Sequence, residues 1–299
     1  MKTFPRWTIA RRIVQFGVFL FFLSPLLLSG WILFGATVGG DDPLPTPFDL
    51  PFYGTLSSSS LLDINILDPF AALQVLVASK AFNLNLLLYA LPVLIVYGLI
   101  RGRAFCGWVC PVNLLLEGLD FIRKKLGIKL KESPIPRHTK IWVALGVLLV
   151  TAIIGVPIFE AISPISFINK GIILGSITGL VTFVAIVIVE LFWGHRVWCR
   201  SICPLGGFYE VLGKVGVVNI HCDESVCIHC DKCKEACLAS PEILDPALSG
   251  EKASVVAGDC MLCAKCVDIC PTQALSVGLG RGAKQSAREK AASKAEVSR

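Results

Sequence analysis

Charge is scarce in this chain. Asp, Glu, Lys and Arg make up 17% of its 299 residues, 54% are hydrophobic, and the mean hydropathy is +0.70. That balance excludes a water-soluble globular domain and predicts a membrane protein. Methionine and histidine are also rare, at two and four residues, which counts against a copper site built on thioether and imidazole. No CxxCH stretch occurs, so no attached haem bridges a bilayer. Cysteine is missing from 36–81 and 160–171, the two loops assigned below to the outer side, so disulfides are not expected. The longer of these loops has only about 45 residues, too few for a large extracytoplasmic sensor domain.

What is present is organised. Apolar runs near 13–35, 82–100, 141–159 and 172–193 are long enough to cross ~30 Å of hydrocarbon at ~1.5 Å per helical residue. Lys and Arg stay on the cytoplasmic side of such spans. Lys2, Arg6, Arg11 and Arg12 precede the first run, and nine basic residues from Arg101 to Lys140 separate the second from the third. The 36–81 loop offers only Lys80 against five Asp, and 160–171 only Lys170. Both termini and the middle loop are therefore assigned to the cytoplasm. Arg11-Arg12 resembles a twin-arginine signal, but the run after it is longer than a signal-peptide core and no small-residue cleavage site follows. It is read as an uncleaved first helix.

Nine of the thirteen cysteines lie beyond residue 214. There "CIHCDKCKEAC" (227–237) and "CMLCAKCVDICP" (260–271) share one spacing. Three thiolates two residues apart wrap three corners of an iron–sulfur cube, while the fourth, after a longer gap, reaches the other cube. Cys227, Cys230, Cys233 and Cys270 are thus expected to hold one [4Fe-4S] cluster, and Cys260, Cys263, Cys266 and Cys237 a second. Zinc knuckles are the competing reading, but zinc pairs two CxxC units and has no use for a third cysteine at the same step. Leu238 replaces the Pro that follows the second motif, Cys222 is a ninth thiol without a slot, and His221 and His229 are expected at the surface or behind the ligands.

The remaining four cysteines form a duplicated signature, "RAFCGWVCP" at 103–111 and "RVWCRSICP" at 196–204. Each follows the inner end of a helical hairpin, so the membrane part reads as two repeated hairpins in one orientation. Pro111 and Pro204 suit the first position of a helix, which puts Cys110 and Cys203 at its cap. The segments that follow, "VNLLLEGLDFIRKKLG" and "LGGFYEVLGKVG", are expected to lie in the lipid interface. Exposure beside Arg103, Arg196 and Arg200 predicts thiolate character. Three readings stay open for Cys106, Cys110, Cys199 and Cys203: ligands of a shared metal centre, a redox dithiol or electron path, and plain packing. Glu190, an intramembrane carboxylate, is a candidate proton acceptor for a quinol or a group that reaches the headgroups. Tyr89 and Tyr97 either bind a quinone head or pack.

The expected fold class is membrane α-helical, with four transmembrane helices plus a C-terminal cytoplasmic dicluster ferredoxin-like α+β domain. Residues 1–12 form a cytoplasmic N-terminus, 13–213 the membrane domain, 214–280 the ferredoxin-like domain and 281–299 a disordered basic tail. The tail has six basic and two acidic residues and does not imply nucleic acid.

Taken together, four spans, both termini inside, the two CxxxCP repeats and the C-terminal cysteine motifs resemble the NapH family over roughly residues 10–275. This is the ferredoxin-type quinol dehydrogenase membrane component of the periplasmic nitrate reductase system. The resemblance implies a bacterial inner-membrane electron-transfer subunit that oxidises quinol from the membrane pool. It also implies a periplasmic iron–sulfur subunit and a membrane-anchored multihaem cytochrome as partners. Chains of this design also serve methylamine utilisation and nitrous oxide respiration. The reading from another class is a metal-handling membrane protein or metal reductase that uses the CxxxCP cysteines as ligands.

Overall fold

The apolar runs become helices, Leu84–Ile100 even with Pro92 inside it, and the polar, Ser-rich stretch between the first two becomes short strands. In chain order the computed structural model has α1 (Arg6–Leu28), β1 (Trp31–Ile32), β2 (Ala36–Thr37), β3 (Phe52–Gly54), β4 (Ser58–Leu61), β5 (Ile64–Leu67), α2 (Pro69–Ser79) and α3 (Leu84–Ile100). There follow α4 (Ala104–Trp108), α5 (Pro111–Leu126), α6 (Thr139–Ile154), α7 (Ile158–Ile162), α8 (Thr178–Phe192), a π-helical turn (Trp198–Ile202) and α9 (Pro204–Leu212). The last part holds β6 (Val218–Cys222), α10 (Lys232–Glu235), α11 (Asp245–Leu248), α12 (Lys265–Ile269) and β7 (Leu275–Leu279). The structure describes residues 4–28, 31–32, 36–37, 52–61, 64–127, 135–165 and 178–280. The expected basic tail, 281–299, lies outside them.

The chain divides into two units. One comprises Met1–Ile13, Tyr97–Trp108 and Tyr209–Arg299; the other comprises Val14–Val96 and Val109–Phe208. In the first, β6 and β7 pair antiparallel from Val218↔Leu279 to Cys222↔Leu275. Behind them Ile220, Ile243, Leu244, Ala247, Met261 and Leu275 make a small buried core. A two-stranded sheet cannot stand alone, so this core and the cysteine loops around it hold the unit together. An aromatic cluster extends it: the Phe105 and Tyr209 rings stack 5.4 Å apart, and Tyr97 meets both edge-on. The Tyr97 ring therefore packs in this cluster.

In the second unit, β3, β4 and β5 form an antiparallel meander that leads into α2. Asp68 caps α2, accepting from Phe70 N at 3.0 Å and Ala71 N at 3.1 Å, with Pro69 at the first helical position. Phe70 is buried against the rings of Phe159 and Phe208. Helix α9 crosses α6 at Gly207, where a Cβ would fall 2.3 Å from the Lys140 carbonyl oxygen. Only glycine permits that approach.

The helix bounds differ from the expected spans. α1 starts at Arg6, so Arg11 and Arg12 belong to the helix, and Arg11 is buried. Among the described residues, Arg6–Ser24 alone is long and apolar enough to cross a membrane; Leu84–Ile100, Thr139–Ile154 and Val181–Phe192 are apolar but shorter. Seventeen helical residues reach about 25 Å at 1.5 Å each, short of a ~30 Å core. These helices nevertheless present large apolar side chains outward, among them Leu87, Leu99, Trp142, Ile153, Val181 and Phe192. The two segments expected in the lipid interface part ways. α5 keeps an amphipathic surface, with Phe121, Ile122 and Leu126 exposed beside its basic last turn. α9 does not lie free, because Leu205, Tyr209 and Glu210 are buried.

Candidate functional site

The two cysteine loops of the first unit are built alike. In the first, His229 and Asp231 are left-handed, at φ 50° and 54°; in the second, Leu262 and Ala264 take the same two places, at φ 48° and 51°. Such residues rarely adopt positive φ. Alternating right- and left-handed residues turns successive backbone N–H groups inward, a concavity suited to an anionic cluster. The strain therefore falls at equivalent positions of both loops, between the first, second and third cysteine.

Thiols of the two motifs approach one another. Cys227, Cys230 and Cys233 line one cavity together with Cys270 of the second motif. Burial, and after it Cys263 and Cys260, pushes the Cys237 thiol up to about 12. Cys266 is held well above its ordinary 9.0 by burial, then by Cys263, Cys260 and Cys237. Buried thiols that raise one another's pKa give up their protons to a metal cation that offsets the charge, so the donor set fits an iron–sulfur cube. Cys222 is half-buried at the end of β6, and burial followed by Cys227 and Cys233 pushes it up to about 12. His229 is exposed on the loop.

The first CxxxCP copy leans on the second cysteine loop. Arg103 Nη1 donates to Asp259 O at 2.7 Å and pairs with Asp259 Oδ1 at 3.1 Å, both side chains being buried. Trp108 Nε1 donates to Leu262 O at 2.9 Å. Between them Gly107 sits so close that a Cβ would fall 2.4 Å from the Met261 carbonyl oxygen. α4, which carries Cys106, is thus seated on residues 259–262.

Arg196, at the equivalent place in the second copy, makes other bonds. Its Nε and Nη2 donate to Asp120 Oδ2 at 3.1 and 2.8 Å, and Nη1 donates to Asn113 Oδ1 at 2.6 Å. Arg123 also pairs with Asp120 and donates to the Glu190 carbonyl at 2.9 Å. Burial opposes ionisation of Asp120, but the His195 hydrogen bond and the Arg196 charge outweigh it and hold this carboxyl well below 3.8. Glu190 is buried. Its Oε2 accepts from Arg196 N at 2.8 Å and its Oε1 from Trp198 N at 2.9 Å, so it staples the turn leading to Cys199.

Cys110 is the cap residue of α5, with Pro111 at its first position, and Cys203 directly precedes Pro204 of α9. Cys203 Sγ accepts from Gly206 N at 3.5 Å. The expectation of exposed, thiolate-like cysteines is corrected: Cys110, Cys199 and Cys203 are 7–9% exposed. Burial, then Cys110 and Cys203, holds the Cys199 thiol well above 9.0. Burial outweighs the Arg196 charge there because the latter is already shared with Asp120 and Asn113. These three thiols belong to one unit and Cys106 to the other. Asp120, Asn113, Asp259 and Asp268 were not singled out from the sequence, since each acts on a partner dozens to hundreds of positions away.

A family model described as a 4Fe-4S binding domain matches twice, over residues 82–129 and 176–221. Both matches cover a CxxxCP copy and end before Cys227. The chain is similar to the ferredoxin-type protein NapH of Escherichia coli (strain K12), 30% identical over 276 residues, covering 91% of this chain and 89% of that protein. It is similar to the methylamine utilization ferredoxin-type protein MauN of Methylorubrum extorquens, 30% identical over 269 residues, covering 89% and 86%. MauN of Paracoccus denitrificans is 29% identical over 258 residues, covering 85% and 84%. No solved structure matches.

Proposed function

We propose a function from one premise: this chain belongs to the family of NapH and MauN ferredoxin-type proteins. It is a ferredoxin-type electron-transfer protein with 4Fe-4S binding. In the proposed reading it oxidises quinol in the bacterial inner membrane and passes electrons toward a periplasmic reductase, nitrate reductase in the first place. Cys227, Cys230, Cys233 and Cys270 hold one [4Fe-4S] cluster, and Cys237, Cys260, Cys263 and Cys266 the other. Each cluster carries one electron, so the pair matches the two electrons a quinol releases.

The observation that carries this reading is the seating of α4 on residues 259–262 through Arg103, Gly107 and Trp108. It joins the first CxxxCP copy to the loop bearing Cys260 and Cys263 by packed atoms and short hydrogen bonds, the medium through which an electron moves. Glu190 holds the turn before Cys199 with both oxygens, so accepting a quinol proton on a remaining lone pair would weaken these charge-assisted bonds. Four helices span the bilayer with both termini in the cytoplasm. The outward apolar side chains of α3, α6 and α8 and the Lys/Arg asymmetry of the loops support that topology. A periplasmic iron–sulfur subunit and a membrane-anchored multihaem cytochrome are the proposed partners. Likeness to MauN, a methylamine utilization protein, makes methylamine utilization the other proposed destination.

A second reading, a metal centre among the CxxxCP cysteines, is favoured by the burial of Cys110, Cys199 and Cys203 and by the 4Fe-4S family matches over their segments. A redox dithiol wants an exposed, low-pKa thiol, which Cys199 is not.

The test is anaerobic purification with iron and acid-labile sulfide analysis, then EPR after adding menaquinol or ubiquinol analogues. Reduction of the clusters by quinol is expected. Clusters that ignore quinol and accept electrons only from a soluble donor would reverse the proposal. Cys106→Ser and Cys203→Ser separate the two readings: lost quinol reactivity at unchanged iron marks a pathway, and lowered iron marks ligation.

A further inference from the structure

Arg101 follows the last residue of α3, and its side chain is fully buried. Its backbone is fixed first. Val217 N donates to Leu99 O at 2.9 Å, and a Cβ at Gly216 would fall 2.8 Å from Arg101 Cα, so glycine is required for the two segments to meet. Nε of Arg101 then donates to Val218 O at 2.9 Å. Nη1 and Nη2 meet no oxygen or nitrogen acceptor among the described residues, and the interaction left to the guanidinium is with the Cys260 sulfur. The charge-bearing group beside the guanidinium is the sulfur of Cys260.

Arg103, two residues on, is unlike it: its charge is met by Asp259 at 3.1 Å. A buried guanidinium without a counter-charge is strongly destabilising. An anion therefore belongs against Nη1 and Nη2, and a cluster ligated by four thiolates is one.

We propose that Arg101 is the resident counter-charge of the cluster held by Cys237, Cys260, Cys263 and Cys266, and makes it the higher-potential cluster of the two. The inference rests on the two-cluster reading above. Reduction by quinol adds one electron, hence one negative charge, to a cluster, while the quinol's protons leave to solvent. A fixed positive charge and N–H donors directed at sulfur stabilise the reduced form more than the oxidised form and raise the potential. Among the described residues the other cavity has no buried arginine or lysine in its lining. Its lining includes Lys232 and His229, both exposed, and water and salt screen such charges. The Arg101 side of the pair accordingly fills first.

Arg101→Gln and Arg101→Lys in the full chain test this. Each is purified anaerobically, assayed for iron and sulfide, and titrated potentiometrically by EPR, with and without Cys230→Ser to leave the Cys260 cluster alone. R101Q is expected to lower the reduced-to-oxidised ratio of that cluster about tenfold at fixed poise, ~59 mV for a one-electron couple. The other cluster should not move, and R101K should restore most of the shift. Half the iron lost in R101Q and regained in R101K also supports the role, because charge is then what the cluster needs. Full iron with both potentials unmoved, or equal iron loss in both variants, overturns it. A wild-type chain without sulfide defeats the two-cluster reading itself, a result distinct from a loaded chain with unmoved potentials.

Discussion

Asp268 Oδ2 accepts from both the backbone N–H and the hydroxyl of Thr8, each at 2.7 Å, across 260 positions of sequence. Its Oδ1 accepts from Trp7 N at 3.2 Å. The carboxylate lies between Cys266 and Cys270 and caps the first turn of α1, satisfying two N–H groups that no helix can satisfy for itself. It also sits at the favourable end of the helix dipole.

Asp268→Ala should therefore cost about 1 kcal/mol while leaving iron content intact, because Asp268 is not a ligand. Thermal melts of the detergent-solubilised chain, followed by helical circular dichroism, measure it. An unchanged melt would mean that α1 does not depend on this cap.

Crossed ligation makes a double-variant prediction. Cys237→Ser and Cys230→Ser lie in one motif but in different clusters, so together they should remove both. Cys237→Ser with Cys263→Ser, drawn from different motifs, should remove only one and leave about half the iron. If iron loss instead follows the motifs, the crossing is wrong.

Gly107→Ala places a methyl 2.4 Å from the Met261 carbonyl oxygen. Backbone cannot swing aside as a side-chain tip does, so about 1–3 kcal/mol of destabilisation is expected. A slower transfer of electrons to the clusters should accompany it as α4 lifts. Gly118→Ala in α5, with nothing within 4 Å, is the control and should be neutral or stabilising by up to about 1 kcal/mol. Equal melting temperatures for the two variants would refute the close contact.

Asp120→Asn leaves the buried Arg196 guanidinium without its carboxylate and should cost about 3 kcal/mol near neutrality. The pH dependence has a definite sign. Asp120 titrates below its ordinary 3.8 in the folded chain, after the His195 and Arg196 contributions overcome burial. Its contribution is thus full well above 3.8 and lost as pH falls through the folded value. The stability gap between wild type and variant should be flat from pH 7 to about 5 and shrink below about 4. Denaturant titrations monitored by tryptophan fluorescence read the gap, and one that widens in acid contradicts the pairing.

Much of this was legible before any coordinates. The cysteine spacing suggests crossed thiol sets, and Cys270 lines a cavity with Cys227, Cys230 and Cys233. The Cys-Pro pairs implied helix starts, and Pro111 and Pro204 are the first residues of α5 and α9. These are local matters: the φ values of His229 and Leu262, or of Asp231 and Ala264, agree because equal spacing imposes equal turns on a short chain.

Partner choice was not legible. Arg103 and Arg196 occupy equivalent places in a duplicated motif, yet one binds Asp259 and the other Asp120. Arg101 looked like a flanking positive charge and is instead buried beside Cys260, while Cys110, Cys199 and Cys203 looked exposed and are enclosed. By itself the sequence determined that the Cys-Pro pairs open helices, which thiols share a loop and which charges exist. Tertiary structure alone decided which charges lose their water. Desolvation depends on every atom packed around a group, and so reverses the expected ionisation of Cys199 and gives two similar arginines different work.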